Sequence, residues 1–229
     1  MASVMDPYTE AMVDRAEQGA VMPRLHVIVA STREKRVGLA IAEWFLARVG
    51  QHGKFEGELV DLKAVNLPLL DEPNHPRVQR YEHAHTKAWS ASVSRADAFV
   101  FVTPEYNYGA PPALVNALDY VYLEWNFKPA GFVSYGGVSG GTRSVQMTKQ
   151  ILTGLKMMPI PEAVIVPFVA RLLEGGAFRA DDTHDKAADT MLDELLCWRG
   201  RSNSFGFQRV RCNLYFGSLM RFQDMRFSS

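Results

Sequence analysis

Three short segments of this chain hold side chains and backbone suited to chemistry, and each directly follows an apolar run. The first is Ala30-Ser31-Thr32-Arg33-Glu34-Lys35-Arg36-Val37-Gly38, between the run at 25–29 and a helical pattern. A turn from a strand end into a helix offers free backbone N–H groups and the positive end of the helix dipole, a setting that binds phosphate. Ser31 and Thr32 add hydroxyls, and Arg33 and Arg36 add charge-assisted donors. Such bonds contribute about 1.5–3 kcal/mol each, so three or four hold a monophosphate. The plain alternative is a solvated basic turn that only precedes a helix.

The second segment, 103–112, leaves the run at 98–102 and opens Thr103-Pro104-Glu105-Tyr106-Asn107. Pro104, Pro111 and Pro112 stiffen it, and Gly109 lets another group come close. Its exposed N–H groups suit the polar edge of a flat aromatic cofactor, and Tyr106 and Tyr108 offer faces to stack on. The third segment, 134–141, contains Gly136-Gly137-Val138-Ser139-Gly140-Gly141. Small residues leave room for a planar ring against the main chain, although glycine turns are common between strands and helices.

Other candidates carry less. There is no G-x-G-x-x-G and no G-x-x-x-x-G-K-[ST], which disfavours a dinucleotide fingerprint and a triphosphate loop. His83 and His85, two apart on an expected helix, should diverge, so with His75 they form no expected metal site. Cys197 beside Trp198 reads as packing, and Ser31 lacks a visible His–carboxylate pair. No catalytic side chain is expected.

The elements that must position these segments follow from pattern. Strand signals at 25–29, 55–62, 98–102, 131–135 and 164–166 alternate with helical signals at 37–49, 78–94, 112–125, 142–157 and 182–196, the last with Thr183 as N-cap. This alternation implies parallel strands joined by right-handed crossovers. The expected fold is α/β, a flavodoxin-like doubly wound five-stranded parallel sheet, order 2-1-3-4-5, with helices on both faces. In that order the carboxyl ends of strands one, three and four lie side by side, so the three segments converge where ligands bind.

The expected organisation is an N-terminal extension at 1–22 with a short helix over 11–18, the main domain at 23–200, and an irregular tail at 201–229. In that tail Arg201, Arg209, Arg211, Arg221 and Arg226 face only Asp224, so a basic interaction tail is the alternative. Lysine plus arginine total 25 and aspartate plus glutamate 25, a balance that argues against a nucleic-acid or membrane-surface binder. No apolar run approaches the roughly 20 residues that span a bilayer. The first twenty residues lack the apolar segment of a signal peptide, and Cys197 and Cys212 make no disulfide framework, so a cytoplasmic setting is expected. The apolar residues of 112–125 exceed what one core face needs, which suits either core packing or a subunit interface.

S-T-R after the first strand, T-P-E-Y-N after the third, the helix start P-P-A-L-x-N-A-L-D and the turn G-G-x-S-G-G together resemble the NADPH-dependent FMN reductase family over about 25–168. The resemblance implies a bound FMN. Ser31, Arg33 and Arg36 would hold its phosphate with backbone from Val37, beside the Thr32 hydroxyl read above. Pro104, Glu105, Tyr106 and Asn107 would line the ring, and Gly136, Gly137 and Ser139 would border its pyrimidine side. It further implies hydride transfer from NADPH or NADH, through flavin N5, to a small acceptor such as a quinone, free flavin, azo dye or metal oxyanion, with ping-pong kinetics. It also implies a homodimer or homotetramer formed through the 112–125 helix. Two positions depart from the family pattern: Ala30 stands where glycine is common, and Val115 where lysine is common. A flavin-binding electron carrier or regulator, or a member that lost the cofactor, are the alternatives.

Overall fold

Five strands carry the molecule, and their burial follows from their composition. A computed structural model describes residues 22–204; the expected helix at 11–18 and the tail beyond 204 lie outside that range. The strands β1 (Arg24–Val29), β3 (Ala98–Pro104) and β4 (Pro129–Tyr135) are near-continuous apolar runs and are buried along almost their whole length, as central strands of a parallel sheet must be. The edge strands β2 (Glu56–Asp61) and β5 (Met158–Val166) mix polar with apolar residues and are partly exposed. All five pair in parallel in the order β2-β1-β3-β4-β5, the order expected.

Successive side chains on a strand point to opposite faces, so each strand feeds two cores. On one face Val27, Val29, Val100 and Val102 pack against Ile41, Ala42 and Phe45 of α1 (Gly38–His52), with the chain's last helix beside it. On the other, Ile28, Phe99, Phe101 and Phe132 meet three helices. After the short α2 (Leu62–Val65), these are α3 (Ala84–Arg95), α4 (Pro112–Asp119) and α5 (Thr142–Gly154). A two-residue hairpin, β6 (Leu173–Glu174) with β7 (Ala177–Phe178), precedes α6 (Asp182–Ser204). No helix among the described residues is long and apolar enough to cross a membrane.

Several expectations are corrected. The helix expected over 112–125 ends at Asp119 and continues as turns, with Leu114, Leu118, Val121 and Trp125 buried in this chain's own core. The apolar surplus of that segment therefore supplies no argument for a subunit interface. Helix α3 begins at Ala84 instead of 78. The Gln79 amide and the Tyr81 hydroxyl donate to the Glu124 carboxylate, and the N–H groups of Glu82 and His83 donate to Glu72, which holds 79–83 outside the helix. His83 is thus extended, and its ring stacks on that of His85 with centroids 5.2 Å apart. Side chains two apart diverge only where both residues are helical, and His83 is not. Both Nε2 atoms face Asp71, and no group of three or more His, Cys, Asp or Glu among the described residues could hold a metal. Asp181, not Thr183, caps α6 by accepting from the N–H groups of Thr183 and His184. Cys197 lies exposed on that helix, not packed.

Candidate active site

The first loop leaves β1 pinned to the sheet, because the N–H of Ala30 donates to Val102 O at 3.0 Å. Ser31 is buried, whereas Thr32, Arg33, Glu34 and Lys35 are exposed. Helix α1 then begins with no side-chain cap and no acid in its first turn. Its first N–H groups, which lack intrahelical partners, are left for another acceptor. The two arginines of the loop differ. Arg36 pairs with Asp61 at the end of β2, and Glu34 pairs with Lys63 of α2. Arg33 has no acidic partner among the described residues.

A residue that sequence reasoning did not assign sits at the base of this loop. Tyr135 ends β4, opposite Pro104 and Val166, and is buried. A Cβ at position 38 would lie 2.5 Å from its hydroxyl, so glycine at the start of α1 makes room for the phenol. Burial, with Tyr106 beside it, holds the Tyr135 hydroxyl well above the usual phenol range, against the opposing pull of Ser31, Arg33 and Arg36. It stays protonated and able to donate. Ser31 Oγ lies 2.7 Å from Tyr106 Oη, so three hydroxyls from three segments gather here. The one available signal was the position of Tyr135 immediately before Gly136-Gly137.

The second loop folds as a tight turn. Tyr106 and Gly109 exchange both backbone hydrogen bonds, at 3.0 and 2.9 Å, with Asn107 at φ 49° and Tyr108 at φ 69°. Two successive left-handed residues make a type I′ turn. Asparagine tolerates that region; tyrosine rarely adopts it. Just before the turn, the Glu105 carboxylate faces α5. It accepts from Ser139 Oγ at 3.1 Å and from the Arg143 N–H at 3.2 Å, and pairs with the Arg143 guanidinium at 2.5 Å. Glu105 thereby caps α5 and ties the second loop to the third. The side chains of Glu105 and Ser139 are engaged with each other, and Ser139 O accepts from the Thr142 N–H at 3.1 Å.

In the third loop the conformational demand falls on Gly140 and Gly141, at φ 57° and 82°. A Cβ on Gly141 would lie 2.8 Å from Tyr135 O, whereas one on Gly137 would meet nothing within 4 Å. Gly136 donates to Val166 O, and Gly137 O accepts from Phe168, which lash this loop to the segment after β5.

The three loops thus leave three adjacent strand ends. A model of the NADPH-dependent FMN reductase family matches residues 23–171, more than half of the chain. The chain belongs to that family. An NAD(P)H-dependent FMN reductase of Schizosaccharomyces pombe is 45% identical over 147 residues, covering 62% of this chain and 71% of the relative. One from Saccharomyces cerevisiae is 34% identical over 167 residues, covering 62% of this chain and 87% of the relative. FerB, a flavoenzyme NAD(P)H:acceptor oxidoreductase of Paracoccus denitrificans, shares the fold with a TM-score of 0.63 at 19% identity, over 79% of this chain and 98% of that one. As a member of this reductase family the chain is an oxidoreductase, and the family's cofactor, FMN, can be tested against its residues. An FMN phosphate is a dianion. The first loop answers it with the Arg33 guanidinium, which has no acidic partner among the described residues, a hydroxyl at Thr32 and an uncapped helix start, so the donor set fits.

Proposed function

We propose that this protein passes a hydride from NAD(P)H, by way of FMN, to a small oxidised acceptor in a ping-pong cycle. The observation that carries the reading is the uncapped, acid-free start of α1 with Arg33, unpaired among the described residues, beside it, adjacent to the 104–107 rim. FMN, when bound, would supply the hydride-accepting and electron-releasing chemistry.

The protein's part is to hold and to polarise. Ser31, Thr32 and Arg33, with the N–H groups opening at Val37, would bind the phosphate. Arg36 would add its charge from a position fixed by Asp61. Backbone of Pro104, Glu105, Tyr106 and Asn107 would line the ring, and Gly136, Gly137 and Ser139 would border its pyrimidine side. The Gly136 N–H is engaged by Val166 O, so the N–H groups of Gly137 and Ser139 would be the ones to favour negative charge on that side without reorganising. No side-chain acid or base is required for hydride delivery, so the residues named here bind and orient. A donor and an acceptor that share one open face must occupy it in turn, which is the basis for ping-pong kinetics.

The test is anaerobic mixing of the FMN-loaded protein with NADPH. The yellow flavin absorbance should bleach, and it should return when a quinone is added. If FMN fails to bind, or binds and does not bleach, the reading is wrong.

A further inference from the structure

We propose that Tyr108, clamped by Arg143, is the specificity-determining platform on which planar, uncharged acceptors are recognised in preference to anionic, non-planar ones; this rests on the reductase reading above. Tyr108 sits at φ 69° within the type I′ turn. That conformation costs a non-glycine residue about 1–2 kcal/mol, and glycine would adopt it freely. A bulky aromatic held there is a reason to look for a role.

The surroundings show how it is held. The Arg143 guanidinium lies 3.7 Å from the ring centroid, covering one face. Arg143 is itself fixed by Glu105, whose side chain is only 8% exposed. The same turn is fastened to α5 again where the Ala110 N–H donates to Met147 Sδ at 3.3 Å. Yet Tyr108 remains 72% exposed. The result is a rigid aromatic surface, one residue past the 104–107 rim, with a face left open. Planar rings stack on such surfaces at little entropic cost.

Charge points the same way. Arg143 is the sole cation in segments 103–112 and 134–143. It is already engaged by a carboxylate and a ring, so an anionic acceptor meets no uncommitted positive charge on these two loops.

The experiment compares the full-length FMN-loaded protein with Tyr108→Ala and Tyr108→Phe. Steady-state rates with NADPH are measured against a benzoquinone and against ferricyanide, which is anionic and not planar. Binding of 2-naphthol, a planar ring that NADPH does not reduce, is followed by calorimetry. Tyr108→Ala should raise the KM for benzoquinone and the Kd for 2-naphthol about tenfold, the scale of one aromatic contact. Its kcat, its FMN affinity and its KM for ferricyanide should stay near wild type, and Tyr108→Phe should restore both planar ligands. Equal losses with both acceptors, unchanged binding of 2-naphthol, loss of FMN or failure of the phenylalanine rescue would each overturn the proposal. If the wild type reduced neither acceptor, the reductase reading would fall, while the 2-naphthol titration would still decide the platform.

Discussion

Arg33 and Arg36 stand three apart in one basic turn and do different things. The Arg36 side chain is mostly buried against Asp61, which fixes its position and offsets part of its charge. Arg33 is exposed and unpaired among the described residues. Sequence treats the two alike, because the carboxylate that separates them comes from the far end of another strand. The consequence is a discriminating prediction: Arg33→Ala should weaken FMN about tenfold or more while leaving riboflavin, which lacks the phosphate, nearly unchanged. Fluorescence titration with both flavins measures this, and equal weakening would refute the phosphate assignment. Tyr135 shows the opposite limit. As the last letter of an apolar strand it carries no pattern of its own, and only the approach of its hydroxyl to Gly38 reveals its place under the cradle.

At the scale of elements, the strands were the most legible part, since long apolar runs bounded by turns admit few other readings. Helix boundaries were less so. The start of α3 is set by side-chain bonds to Glu72 and Glu124, which lie outside that helix, whereas beyond the end of α4 the Tyr122 N–H donates to Glu124 within the same segment; neither kind of bond registers in local periodicity. The glycine turn after β4 was visible as a motif, but not which glycines it needs. Gly141→Ala should cost roughly 2–4 kcal/mol, from a forced positive φ and a clash with the Tyr135 backbone. Gly137→Ala, with open space around it, should melt near wild type. Thermal denaturation of the two variants separates a turn built on positions 140 and 141 from one that merely tolerates small residues.

Across the whole molecule, two cores flank one sheet, and the core on the α3–α5 face includes a buried ionisable group. His26 of β1 is fully buried, edge-on to Phe99 at 6.0 Å, with Nε2 3.2 Å from Glu58. Burial pushes the imidazole below its usual value, and Arg95 and Lys128 push the same way, against Glu58. Between that lowered folded value and the unfolded value near 6.5, the unfolded chain binds a proton that the native chain refuses. Stability should therefore be fully present above pH about 6.5 and fall as the pH drops through that window. Urea unfolding on both sides of the window measures the loss, and His26→Leu should flatten it; an unchanged slope in that variant would assign it to other groups.

The knot that Glu105 makes with Ser139 and Arg143 has a consequence for anyone recombining members of this family. Two stretches far apart along the chain behave as one inheritable module. A chimera that imports the proline-rich segment without its distant counterpart would leave a carboxylate stranded and a helix start bare, so exchange between relatives must carry both pieces together.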